Sequence, residues 1–365
     1  MNAMKHPRTQ RINKRNKRLL ISLTNACPYR CVFCVYLHDR QPADLPIETW
    51  LDILKKAKRH GFGFLEIGSQ GEPALHPDFE KIIASAYRWG YTVEVLTNLR
   101  EDKRIKKILP YLNLLTINLN ATDAREFRDI HGIKRRGAFK NALDSLKDIL
   151  ELAHRKKYAV RFKINYVITK NTAAKAISFV RKFHRILLKR MGRPADLSIH
   201  FHHMLLTPHN HFLAPDKEQL QHLINEFRIA ARIPFFVRTT NILDFTKKTR
   251  QILNARTLMG PLHRNTMPTD TNSKVVKRLN SLMTCEAWKN NLFIDCNGDI
   301  FGCLNPTRIL FGLPAADDPT FYGNVKDGRL AQILKTPPQP AMDMDFTNRF
   351  WKACVICGLK KRTQP

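Results

Sequence analysis

No run of eighteen apolar residues occurs anywhere in the sequence, and its first residues hold no apolar core of the kind that opens a secretory signal. A membrane-spanning helix needs about twenty such residues, so neither a span nor export is expected and the sequence reads as cytoplasmic. Acidic residues are scarce as well: 31 Asp and Glu stand against 62 Lys and Arg, a net charge of +31. That imbalance excludes an electrically neutral surface and points to an anionic substrate or a polyanionic partner, with a solvated basic surface as the equal alternative since the charges are widely spread. Residues 1–18 contain no acid and no serine, which reads as a basic arm and not as a transit peptide. No recognised nucleic-acid module accompanies the charge. In a reducing compartment, the eight cysteines are expected to serve metal ligation, not disulfides.

The 365 residues, 43% of them hydrophobic, suffice for two domains or for one large barrel with an appendage. Apolar patterning places strands at 19–23, 62–67, 91–96, 114–119, 160–168 and 197–205. Helices are expected at 46–60, from Asp78, and at 105–109, 138–152 and 173–191. Strands alternating with helices imply right-handed parallel β-α units, hence an α/β fold with a partial (β/α)6 barrel. Ligand-binding groups of such barrels gather at the C-terminal ends of the strands. The chain then divides into a basic arm (1–18), the barrel (19–215), a connector with a helix at 217–231 (216–281) and a C-terminal domain (282–365). In the last, apolar stretches at 291–295 and 300–303 flank Asn297-Gly298, a dipeptide suited to a type I′ hairpin turn.

Directly after the first strand stand Cys27, Cys31 and Cys34, in the spacing C-x3-C-x2-C. Three thiolates on one loop can hold three irons of a [4Fe–4S] cube and leave the fourth open. Half of a zinc site, or buried cysteines acting as small apolar residues, are the alternatives. The spacing, with Phe33 just before the last cysteine, resembles that of the radical S-adenosylmethionine (SAM) enzymes. The resemblance implies that SAM chelates the open iron and is cleaved to a 5′-deoxyadenosyl radical. It extends to Gln70-Gly71-Glu72-Pro73 after the second strand, where the family usually has Gly-Gly-Glu-Pro beside the SAM amino group. Asn118 stands on strand four where many relatives carry a serine near SAM, with Asn120 beyond it and Asn98 after strand three as further polar candidates, and a strand-end cap is the alternative for each. An electron-donor protein of the flavodoxin or ferredoxin kind is implied as well.

Cys285, Cys303, Cys354 and Cys357, with Gly298 between the first two, resemble the ligand set of a truncated auxiliary-cluster ("twitch") domain related to the SPASM extension of that family. Residues 322–325 followed by 330–334 resemble its linker helix, so the C-terminal part is expected to be a small twitch-like β-hairpin and helix domain. One auxiliary [4Fe–4S] cluster is implied, and a zinc ribbon is the alternative that residue types leave open. Cys296 beside the hairpin turn is a spare ligand, a thiol returning a hydrogen atom to a substrate radical, or a half-buried hairpin residue. Alternation on strand six puts His200 and His202 on one face and His203 on the other, with His209 and His211 beyond. The shared pair is a candidate acid/base or substrate contact if that face points into the barrel, and core packing is the alternative.

The sequence thus leads to a radical SAM oxidoreductase that abstracts a hydrogen atom from its substrate, with an auxiliary cluster accepting an electron. Dehydrogenation, epimerisation and modification of a peptide or other natural product all fit. RNA is the alternative substrate that the charge favours. A non-enzymatic iron–sulfur or zinc protein that binds nucleic acid is the reading from another class.

Overall fold

The computed structural model describes residues 17–36, 43–191, 197–204, 210–233, 240–247, 249–250, 287–303, 318 and 320–338. Six strands, β1 (Lys17–Ile21), β2 (Phe62–Ile67), β3 (Thr92–Thr97), β4 (Leu114–Asn118), β5 (Arg161–Ile168) and β6 (Leu197–His203), run parallel and in sequence order. Between them come the helices α1 (Ile47–Arg59), α2 (Phe79–Arg88), α3 (Asp102–Ile108), α4 (Ala124–His131), α5 (Ala138–Lys156) and α6 (Ala176–Met191). A seventh, α7 (Lys217–Ala230), follows β6 and packs against α6.

The period of each element explains its place. On α1 the residues Trp50, Ile53, Leu54 and Ala57, spaced three and four apart, are all buried. They share one core with Leu19 and Ile21 of β1 and with the corresponding alternate residues of the other strands, Val93, Val95, Phe162, Ile164, Ile199 and Phe201. The remaining residues of those strands, Arg18, Leu20, Glu94, Lys163, Asn165, His200 and His202, therefore lie on the opposite, concave face. Their side chains decide what the barrel can hold.

Three features depart from the sequence-based expectation. Lys17 and Arg18, assigned there to the basic arm, belong to β1, and Arg18 forms an ion pair with Glu66 and lies 3.8 Å from Glu94. The whole of α4 is an addition. Asp123 caps it by accepting the Glu126 N–H at 2.8 Å, and Gly132 ends it in the left-handed region at φ 61°. Finally, β7 (Asn291–Ile294), β8 (Asp299–Phe301) and β9 (Phe321–Asn324) do not form a sheet of their own. β7 pairs in parallel with β1, Leu19 opposite Leu292 and Ile21 opposite Ile294, and the hairpin continues the barrel sheet beyond β1.

The hairpin turn is also not type I′. Among non-glycine residues positive φ occurs at Ser69, Leu99, Asn120 and Lys157 and not at Asn297, while Gly298 has φ 89°. The Gly298 N–H donates to the Asp295 carbonyl at 3.0 Å, and the Asp295 carboxylate accepts the N–H groups of Asn297 and Asp299. This is a three-residue loop with a left-handed glycine, whose geometry the Asp295 side chain fixes by occupying the amides of the turn. Cys303 lies among the described residues, whereas Cys285, Cys354, Cys357 and His209 do not.

Phe293 of β7 is fully buried with Leu20 of β1, Phe301 and half-buried Tyr36. Phe293→Ala should therefore lower the unfolding free energy by about 3–5 kcal/mol in denaturant titrations. A loss below about 1 kcal/mol would mean that the hairpin is not part of the barrel's packing.

Candidate active site

The C-terminal ends of the parallel strands converge on a cavity of about 300 Å³. Cys27, Cys31, Cys34, Gln70, Glu72 and Asn98 line it, and Phe33 and Asn118 complete the group singled out in the sequence. Gly71 is there as well, with φ 63°, and a Cβ on it would lie 2.4 Å from the Thr24 carbonyl oxygen and 2.7 Å from that of Ala26. Only glycine permits this approach, which lets the Glu72 N–H donate to the Ala26 carbonyl at 2.8 Å and ties the turn after β2 to the cysteine loop. Ser22, unnoticed in the sequence, braces the same turn: its hydroxyl donates to the Gly68 carbonyl and accepts from the Gln70 N–H.

Glu72 is buried, and burial raises its carboxyl to about pKa 7 against the pull of its hydrogen bonds. Those bonds come from the Asn98 N–H at 2.8 Å and the Thr97 hydroxyl at 2.7 Å, so the carboxyl fixes the end of β3. Asn98 in turn accepts from the Arg100 N–H at 2.9 Å and points its amide nitrogen towards Cys27 Sγ at 3.9 Å. Asn118 receives a hydrogen bond from Asn165 at 2.9 Å, and His202 Nε2 meets the Asn165 amide oxygen at 3.0 Å. His202, Asn165 and Asn118 thus form a chain in which the Asn118 amide oxygen is taken by Asn165, and Asn118 lines the cavity. Asn120 takes the strand-cap alternative: it is fully buried, in the left-handed region, and accepts the Val167 N–H.

The other candidates separate. His200 sits on the concave face with its ring 6.2 Å from that of His202. Burial, with Lys163 close by, lowers its pKa to about 4, so it is neutral at physiological pH and a poor proton carrier there. His203, on the other face, stacks on Phe245 and is the histidine of β6 that lines the cavity; His200 and His202 do not line it. Cys296 is buried behind the cavity, its thiol 3.5 Å from the Gln70 amide oxygen, and does not itself line the space where a hydrogen donor to substrate must stand.

His131 is a site residue that the sequence reading missed. Its Nε2–H donates to the Leu119 carbonyl at 3.1 Å, and its Nδ1 lies 3.0 Å from Cys31 Sγ. Burial drops its pKa to about 4, which keeps the ring neutral and Nδ1 an acceptor for the thiol. Asp123-x-x-Glu126 followed by Gly132 is a start-and-stop signal for the helix that carries it.

The donor set suits an iron–sulfur cluster. Among the described residues no three His, Cys, Asp or Glu side chains come close enough to chelate one ion. Cys27, Cys31 and Cys34 all line the one cavity, where three thiolates could hold three irons of a cube. Burial raises Cys27 to about pKa 11 and raises Cys31 and Cys34 too, so all three are protonated thiols in the metal-free protein and metal binding must release their protons.

A partial parallel barrel with three cysteines and a glycine-tight turn at its mouth defines a class of cluster-binding barrel protein. The family model described as the radical SAM superfamily matches residues 21–176, and this part of the chain is a radical SAM domain. A probable GTP 3′,8-cyclase of Saccharolobus solfataricus is 28% identical over 167 residues, 44% of this chain and 51% of that protein. The PqqA peptide cyclase of Streptomyces rochei is 27% identical over 188 residues, 50% of this chain and 44% of that protein. The chain spans about half the length of the curated relatives it matches. In fold it is similar to Streptococcus suis SuiB, in a crystal structure with the precursor peptide SuiA, at a TM-score of 0.60 and 17% identity over 88% of this chain and 65% of that one. None of the helices among the described residues is long and apolar enough to cross a membrane.

Gly71→Ala should strip the cavity of its cluster. The added methyl meets backbone oxygens that cannot swing away, and the left-handed conformation costs about 1–2 kcal/mol more. Iron per chain after anaerobic reconstitution is expected to fall by half or more with the circular dichroism of the barrel retained. Full iron content in this variant would contradict the close-approach account.

Proposed function

We propose that this protein is a radical SAM enzyme that abstracts a hydrogen atom from a peptide substrate. The observation that carries this reading is the single cavity in which Cys27, Cys31 and Cys34 meet the Gly71-Glu72 turn and Asn98. A [4Fe–4S] cluster on those three cysteines would leave one iron for the amino and carboxylate groups of SAM and supply the electron that splits its sulfonium. The chain's own residues do the positioning. The Glu72 carboxyl sets the turn after β3, His131 holds Cys31 against β4, and the oriented Asn118 amide offers a donor to bound SAM.

The concave face favours an uncharged substrate segment. Glu94, buried at its centre, receives Thr116 at 2.6 Å and Lys163 at 2.7 Å, while Arg18 pairs with Glu66. Among the described residues of the concave face, two cations stand against two carboxylates beside a neutral His200, while Arg30 also lines the cavity at the strand ends. Amide and imidazole groups are what the wall presents, and they match the hydrogen-bonding pattern of a peptide. The PqqA peptide cyclase among the relatives and the peptide held by SuiB support the same choice, and the probable GTP 3′,8-cyclase is the relative whose name favours a nucleotide instead. The excess positive charge then belongs to the outer surface, where it serves the recruitment of acidic partners.

Cys285, Cys303, Cys354 and Cys357 are assigned to one auxiliary [4Fe–4S] cluster that takes the electron left on the substrate. Three of the four lie outside the described residues, and the assignment rests on their spacing.

Anaerobically reconstituted protein with dithionite and SAM should release 5′-deoxyadenosine, and Cys27→Ala, Cys31→Ala or Cys34→Ala should each abolish it. Iron should come to about eight per chain and drop to about four with Cys354→Ala and Cys357→Ala, as two separate clusters require. No 5′-deoxyadenosine from the wild type would refute the enzyme reading, and zinc in the C-terminal set would refute the auxiliary cluster.

A further inference from the structure

A second cavity, of about 310 Å³, lies against the cysteine loop and shares one wall with the first: Tyr29, between Cys27 and Cys31, lines both. Tyr29 is only 4% exposed, packed edge-on against Phe127 and tilted against His131. Its hydroxyl has no hydrogen-bond partner among the described residues. Burial pushes it up to about pKa 12, and the Arg100 guanidinium is the first charge that draws it back.

The charges of this cavity do not cancel. Its three carboxylates are already matched: Asp102 and Asp148 lie 2.8 and 3.1 Å from Lys106, and Asp144 lies 2.8 Å from Lys140 and 3.2 Å from Lys147. Arg100 and Arg135 also line it, and neither guanidinium has an ion pair or hydrogen bond among the described residues. Asn141 and Ser145 of α5 add neutral hydrogen-bonding groups beside them. Two guanidinium groups without an ion pair, beside the Tyr29 hydroxyl, make a socket for a carboxylate.

The loop that carries Arg135 is fixed to the cysteine loop. The Arg30 N–H donates to the His131 carbonyl and the Val32 N–H to the Ile130 carbonyl, each at 2.9 Å. A Cβ on Gly132 would lie 2.5 Å from the Arg30 carbonyl oxygen, so the two segments are in direct contact there. Exposed Lys134 and Arg136 flank Arg135, and exposed Arg30 stands on the cysteine loop itself. Lys134, Arg135 and Arg136 thus put three cations on the segment that is bound to the cysteine loop, while Arg30 lines the first cavity.

Reductive cleavage of SAM needs one electron from outside, and the first cavity has to hold SAM and substrate. We propose that the second cavity and its rim of cations are the docking surface for an acidic one-electron donor protein, with a donor surface carboxylate entering between Arg100 and Arg135. This rests on the radical SAM reading above. Cys27, Cys31 and Cys34 would hold the cluster that accepts one electron from the donor's reduced flavin, with Tyr29 in the wall that the two cavities share. Complementary charge of this kind acts on encounter and affinity, and added salt weakens it.

The test uses the full chain, anaerobically loaded with iron and sulfide, and measures 5′-deoxyadenosine formation with either reduced flavodoxin, an acidic flavoprotein, or dithionite. Arg100→Glu with Arg135→Glu should raise the half-saturating flavodoxin concentration about tenfold or more at low salt. Its iron content and dithionite-driven rate should match the wild type, and Arg100→Lys with Arg135→Lys should keep most of the flavodoxin response. Unchanged half-saturation in the charge-reversed variant, an equal loss with dithionite, or a wild type that responds to dithionite but not to flavodoxin overturns the docking surface. A wild type that makes no 5′-deoxyadenosine even with dithionite fails at the earlier step, and the docking proposal falls with it.

Discussion

The contact on which the site depends is the one between two backbones. Gly71 brings the turn after β2 so close to the cysteine loop that a single methyl group would collide with two carbonyl oxygens. Because the loops touch there, the Glu72 N–H reaches Ala26, the Glu72 carboxyl reaches the end of β3, and Asn98 comes to face Cys27. Strand ends that are far apart in sequence are thereby locked into one cavity wall. The other side of the cysteine loop is held in the same manner by α4, through His131, Ile130 and Gly132. A metal cluster bound to such a loop inherits its geometry from hydrogen bonds that exist before any metal arrives.

Much of this was legible in the sequence because local patterns and tertiary needs agree. The strands and most helices follow from apolar period, and the cysteines from ligand spacing. What could not be read has physical reasons. Arg18 looks like the end of a basic tail, yet it is buried in part because Glu66 and Glu94 from other strands answer its charge. Asn118 and Asn120 look equivalent at a spacing of two, but the left-handed backbone of Asn120 turns it away to cap β5. Cys296 has the chemistry of a hydrogen donor, and only the packing of β7 against β1 shows that Gln70 meets it in front of the cavity. The segment carrying α4 was passed over for want of a long apolar period, although its capping residues mark both ends.

Charge is distributed with the same logic. The sequence carries +31, but the concave face of the barrel is balanced pair by pair, so the excess lies elsewhere. A neutral interior with amide and imidazole groups suits a peptide, and a cationic rim beside the cysteine loop suits an acidic protein. The hairpin that extends the sheet past β1 adds a further link, since β7 pairs with the strand that leads into the cysteine loop, with Cys296 in the turn after β7 and Cys303 two residues after β8. An auxiliary cluster built there would share the rigid sheet with the first.

The central claim is that three cysteines hold a cluster whose remaining iron is open to SAM. It is tested most directly by electron paramagnetic resonance of the one-electron-reduced cluster with and without SAM, in protein carrying Cys354→Ala and Cys357→Ala so that one cluster contributes. SAM is predicted to change the signal by binding the open iron. A spectrum that excess SAM leaves unaltered, or a site that takes up zinc in place of iron, would contradict the account.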